Sequence, residues 1–181
     1  MGFPKMLLTF KGETMLEKVI RHVADSDTDG ILVVLGANRD RLLDLVEKFN
    51  VSHCFNDNYK KGMLSSVQCG IRNLSHAAEA VLVFQGDQPF IGTSVVNSVI
   101  REYRLSGKGL VIPTCRGRRG HPLLLSLSYA DEVFNLDDHE GLRALTHRHP
   151  DDILEVETND PGILRDIDTY DEYKEELKQT F

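Results

Sequence analysis

At 181 residues the chain has the length of one domain built on one core. Its 41% apolar and 27% charged residues are the balance of an ordinary soluble globular protein. A net charge of −7 argues against non-specific nucleic-acid binding, since nothing releases counterions from a phosphate backbone, but not against a nucleotide held by a metal and local cations.

In chain order, strand-like and helix-like segments alternate. Thr14 has the look of an N-cap for a helix whose Leu16, Val19, Ile20 and Val23 recur at helical spacing. Ile31 to Leu35 is a continuous apolar run, the mark of a strand buried on both faces. Asn38 then caps a second helix carrying Leu42, Leu43, Leu45, Val46 and Phe49. Val51 to Phe55 is the next strand, followed by a polar turn and a helix over about Leu64 to Leu74. Ala80 to Phe84 is another buried strand, broken by Gly86 to Pro89. Thr93 caps a helix with Val95, Val96, Val99, Ile100 and Tyr103 inward. Leu110 to Pro113 and Pro122 to Leu127 flank a basic turn; a helix near Gly141 to His147, a strand at Ile153 to Val156 and a helix from about Tyr170 complete the chain.

This alternation predicts an α/β fold, a single domain over residues 1–181 with a mostly parallel, Rossmann-like sheet covered by helices on both faces. No apolar run approaches the roughly 18–20 residues of a membrane span. Met1 to Leu8 contains Lys5 and no signal-peptide core, so a cytoplasmic location with no membrane partner is expected. Cys54, Cys69 and Cys115 are too few and too scattered for a disulfide framework or a zinc knuckle and are expected as free thiols. His147 and His149, two apart, do not share a helix face and are not expected to hold a metal.

Ligands of such folds sit beyond the carboxyl ends of the strands, which directs attention to five loops. Val81 to Phe84 deliver Gly86-Asp87-Gln88-Pro89, placing Asp87 at a strand end where a hard cation such as Mg²⁺ takes carboxylate and phosphate oxygens. Asp166 and Asp168 alternate on one side of an extended segment, although Asp168 or Thr169 also suits the cap of the last helix. Gly2-Phe3-Pro4-Lys5 shapes a turn that aims Lys5 at triphosphate oxygens. Gly62-Met63-Leu64-Ser65-Ser66 opens a helix whose N–H groups and hydroxyls suit a base or a phosphate. Arg116, Arg118 and Arg119, ahead of Gly120-His121-Pro122, suit a phosphate-bearing acceptor.

These landmarks together resemble the MobA-like nucleotidyltransferases, and within them the molybdenum cofactor cytidylyltransferase branch. The likeness runs from Met1 to about Tyr173: G-x-P-K-x-L-L at Gly2 to Leu8, G-M-x-S-S at Gly62 to Ser66, G-D-Q-P at Gly86 to Pro89, R-G-H-P at Arg119 to Pro122, and D-I-D-T at Asp166 to Thr169. Pro4 before Lys5 favours the cytidylyl branch, since the guanylyl branch usually carries an aspartate there.

The resemblance implies a nucleotide-diphospho-sugar-transferase-like fold and Mg²⁺-dependent transfer of a nucleotide from CTP to the phosphate of molybdopterin or molybdenum cofactor, releasing pyrophosphate. It implies Asp87, Asp168 and Asp166 at the metal, and Lys5 and Asp87 as catalytic. Gly2, Lys5, Gly62, Ser65 and Ser66 would face the nucleotide, and Arg116, Arg118, Arg119 and His121 the pterin. A molybdenum hydroxylase is an implied downstream partner. Other expectations consistent with the residues are a guanylyl or sugar-phosphate nucleotidyltransferase, and a non-catalytic protein that hands the pterin cofactor to a hydroxylase. Members of this family carry a strand and a glycine-rich phosphate loop directly ahead of the M-G-x-P-K motif, so the sheet is expected to lack its central first strand.

Overall fold

The computed structural model describes residues 5–10 and 12–179. The chain enters through a single turn at Lys5–Leu7 and a small antiparallel pair, β1 (Thr9–Phe10) and β2 (Glu13–Thr14). The Thr14 hydroxyl accepts the Glu17 N–H while the Glu17 carboxylate accepts the Thr14 N–H. This capping box starts α1 (Met15–Ala24), which buries Met15, Leu16, Val19, Ile20 and Val23 at the spacing expected.

The elements that follow are β3 (Leu32–Leu35), α2 (Arg39–Glu47), β4 (Ser52–Phe55), α3 (Met63–Arg72), β5 (Ala80–Val83) and α4 (Thr93–Ser106). Then come β6 (Leu110–Cys115), β7 (Arg118–Arg119), β8 (Leu123–Ser126), α5 (Ala130–Phe134), α6 (Arg143–Arg148), β9 (Ile153–Glu157) and α7 (Tyr170–Gln179). Two expected caps differ. Asn38 precedes α2 in the left-handed region and makes no side-chain cap. Thr93 is the first residue of α4 and gives its hydroxyl proton to the His22 carbonyl instead, tying α4 to α1.

The α/β class holds, and the sheet is mixed. β6 runs parallel to β9 along one edge and antiparallel to β8 along the other, and β8 is in turn antiparallel to β5. The direction of β8 follows from the turn before it. Arg116 and Gly117 both have positive φ, the geometry of a tight hairpin, and a hairpin can only return antiparallel. All six residues of β6 are buried, making it the centre of this layer.

Between β3 and β5 the sheet is interrupted. Among the described residues, β3 pairs in parallel with β4 alone, and the two form a sheet separate from the one that begins at β5. Helices nonetheless cover both pieces. On one face Leu64 and Val67 of α3 pack with Val81 and Val83 of β5, and Gly70 of the same helix closes on Val34 of β3. On the other face Leu16 and Ile20 of α1 pack on Val33 and Leu35, while Leu16 also approaches Gly86 just beyond β5. Alternation along each strand accounts for this division of side chains. The full two-sided burial expected of both runs is not reached: Leu32, Val33, Val34 and all of β5 are half-buried.

Candidate functional site

Three strand ends converge on the start of α3. Gly36, just after β3, lies so close to Tyr59 that a side chain there would collide with it. Asn56, just after β4, is buried and gives its two amide protons to the hydroxyls of Ser65 and Ser66, at 2.9 and 3.0 Å. Gln85, after β5, reaches the Met63 sulfur at 3.6 Å. Gly62 begins this helix with φ near +103°, a conformation that other residues adopt only under strain.

The centre of the site is an ion triad. The Lys5 ammonium lies 2.6 Å from an Asp87 oxygen and 2.8 Å from an Asp168 oxygen. One cation, the Lys5 ammonium, thus bridges the two carboxylates. The fold fixes this meeting through the backbone, because Ile167 donates its N–H to the Asp87 carbonyl. The Ile167 side chain is buried with Phe10, Met15 and Tyr173, so Asp166 and Asp168 on either side of it turn outward together. Capping does not compete for Asp168. The Thr169 hydroxyl and the Glu172 carboxylate form the cap of α7, which leaves the Asp168 carboxylate to Lys5.

Burial pulls the Lys5 pKa down, but hydrogen bonds and charge from Asp168 and Asp87 more than offset it, so the pKa is raised and the ammonium stays charged. His121 goes the other way. Burial lowers its pKa despite the nearby charges of Asp87 and Asp166, so the ring is neutral near pH 7. Gln85 contacts His121 Nε2 at 3.2 Å, whereas the buried Nδ1 has no hydrogen-bond partner among the described residues.

Among the described residues, the buried side-chain polar atoms without a partner are Asp87 Oδ1, Gln88 Oε1 and His121 Nδ1. Native interiors satisfy nearly all such atoms, so their concentration in one loop cluster marks a place where an added ligand completes the structure. A hard cation fits the set: Asp87 has one oxygen on Lys5 and one free, and Asp168 is beside it. No group of three or more His, Cys, Asp or Glu side chains suited to a metal occurs among the described residues. Further ligands would have to come from substrate phosphate and water.

The other expected site residues lie as follows. Gly2, with Pro4, falls outside the described residues. Asp166 is exposed and faces His121 electrostatically, without an ion pair to Lys5. Ser65 is buried, and its hydroxyl points inward to the Asn58 and Gly62 carbonyls. Among the described residues, the Ser66 hydroxyl is bonded only by the Asn56 amide. Arg116, Arg118 and Arg119 sit on the hairpin turn and share no bond with the Lys5 triad. Arg119 is paired with Glu155, and the Arg116 N–H is bonded to Glu157. The chain folds back after them, where Gly120 packs on the Ile163 backbone and the His121 N–H bonds the Ile163 carbonyl, and this delivers His121 alone to the interior. Asn56 and Gln85 were not singled out from the sequence; their only signal is a polar residue directly after an apolar strand.

The E. coli (strain K12) protein named molybdenum cofactor cytidylyltransferase is 24% identical over 174 residues, covering 96% of this chain and 86% of the relative. The crystal structure of a homologue of Mycobacterium tuberculosis Rv0371c, from Mycobacterium sp. strain JC1, superposes with a TM-score of 0.87 at 26% identity, over 99% of this chain and 89% of that one. Rv0371c itself, from M. tuberculosis H37Rv and solved in complex with manganese, superposes with a TM-score of 0.77 at 21% identity, over 97% of this chain and 91% of that one. The MobA-like NTP transferase domain matches residues 1–153, and the chain belongs to that family of nucleotidyltransferases.

Proposed function

We propose that the chain transfers a cytidylyl group from CTP to the phosphate of a pterin cofactor, molybdopterin or its molybdenum form, with release of pyrophosphate and dependence on Mg²⁺. The observation that carries this reading is the Lys5–Asp87–Asp168 triad, with the buried Asp87 Oδ1 left unpartnered at the end of β5. The name of the E. coli relative supports the choice of base and acceptor.

Phosphoryl-type transfer needs positioning and charge neutralisation more than a protein nucleophile. Asp87 and Asp168 would hold Mg²⁺, which when bound draws charge from the triphosphate oxygens. The Lys5 ammonium would leave its carboxylates for the triphosphate and neutralise charge there. The N–H groups at the start of α3 and the Ser66 hydroxyl would orient the nucleotide. His121, neutral and beside Asp87, would face the acceptor, with Arg116 and Arg118 steering its phosphate from the rim. In-line attack of that phosphate on the α-phosphorus would then expel pyrophosphate.

The test is pyrophosphate release from CTP and from GTP, each with molybdopterin, with a sugar phosphate and with no acceptor. Faster turnover of CTP with molybdopterin is expected. A preference for GTP or a sugar phosphate would replace the proposed base or acceptor. Binding of the pterin without release would make the chain a carrier.

A further inference from the structure

Two of the three cysteines, though scattered in sequence, meet in space. Cys54, in the middle of β4, and Cys69, in the last turn of α3, bring their sulfurs to 3.7 Å. All three thiols are free, and the third, Cys115, is buried in a different cluster beside α4. Cys69 is half-buried, with its S–H directed at the Phe55 carbonyl, and is within reach of a small reagent. Cys54 is buried, and burial followed by the contact with Cys69 pushes its thiol up to about 12. The two sulfurs need to close only from van der Waals contact to the roughly 2.05 Å of a disulfide.

Their neighbours give the pair significance. Two residues past Cys54 stands Asn56, which holds the Ser65 and Ser66 hydroxyls, and one helical turn before Cys69 stand those two serines. The thiols and the start of α3 thus share one seam between β4 and α3.

We propose that Cys54 and Cys69 form a reversible dithiol–disulfide site that weakens nucleotide binding when oxidised. The oxidant is a low-molecular-weight disulfide. The Cys69 sulfur attacks it, one reduced thiol leaves, and Cys69 carries a mixed disulfide. The Cys54 sulfur then displaces the second thiol. In sum, two protein thiols and one small disulfide yield one protein disulfide and two small thiols, which carry away the two cysteine protons. The bond draws the last turn of α3 onto β4 and fixes the seam in one spacing.

The test treats the folded protein with oxidised glutathione, maps its peptides by mass spectrometry and then adds dithiothreitol. A Cys54–Cys69 linkage that is reversed by dithiothreitol, with Cys115 still free, is expected. Cys54→Ser should retain a glutathione adduct on Cys69, and Cys69→Ser should remain unmodified at Cys54. Linkage through Cys115, or no linkage, would overturn the site. Its consequence rests on the proposed function and is read separately, as CTP affinity with Mg²⁺ before and after oxidation. A several-fold weakening in wild type, absent from both serine variants, is expected. Equal affinity in the two wild-type forms would overturn the regulatory role. If the reduced protein binds no CTP, the proposed base fails instead, and the peptide map still decides the thiol pair.

Discussion

Two serines next to each other in sequence have opposite surroundings, and their substitution separates fold from function. Ser65 is buried, with its hydroxyl shared among Asn56, Asn58 and Gly62. Ser65→Ala leaves those partners unpaired and is expected to cost about 1–3 kcal/mol in urea unfolding. Ser66 meets only Asn56, so Ser66→Ala should change stability by less than about 1 kcal/mol while raising KM for the nucleotide. The reverse pattern would put Ser65 against the substrate. Asn56→Ala removes the donor to both serines and should show both effects at once.

Elements are held by similarly local devices. Thr14→Ala breaks the capping box of α1 and should cost about 1 kcal/mol, read as a fall in Tm with kcat unchanged. His22, at the far end of the same helix, gives its Nδ1 proton to the Ile91 carbonyl. Burial lowers its pKa below the ordinary 6.5, with Arg21 and Lys18 adding to the shift and the Ile91 bond and Glu13 opposing it. The folded state thus binds this proton less readily than the unfolded chain. The contribution is present above pH 6.5 and is lost as pH falls through the folded value. Unfolding free energy should therefore decline below pH 6.5 in wild type and decline less in His22→Gln; equal slopes would remove His22 from the account.

Most of these elements were legible from apolar spacing: α1, α4 and β6 fall where the periodicity put them. Asn38 and Thr93 were misread as side-chain caps because Asn at positive φ and a hydroxyl bonded to another helix have the same local sequence as a cap. Asp87 at a strand end and Asp166 with Asp168 on one side of an extended segment were legible from the residues, whereas their union with Lys5 in one site came from the family resemblance. The inward turn of Ser65, the pairing of Arg119 with Glu155 and the contact of Cys54 with Cys69 depend on tertiary packing, which residue types alone do not encode.

At the scale of the whole molecule, the interruption between β3 and β5 dominates. Helices α3 and α1 cover it from both faces, yet among the described residues the two sheet pieces share no ladder. Side-chain packing of these helices, rather than backbone pairing, thus holds the β3–β4 pair to the sheet that begins at β5.

The central claim is that Asp87 and Asp168, with Lys5 between them, form the catalytic metal and triphosphate site. Its most direct test is Mg²⁺-dependent pyrophosphate release from CTP and molybdopterin by wild type and by Asp87→Asn, with circular dichroism verifying the fold. The account predicts release only with the divalent cation, and a fall of about 10²–10³-fold in Asp87→Asn at unchanged secondary structure. A folded Asp87→Asn variant that releases pyrophosphate at the wild-type rate would contradict it.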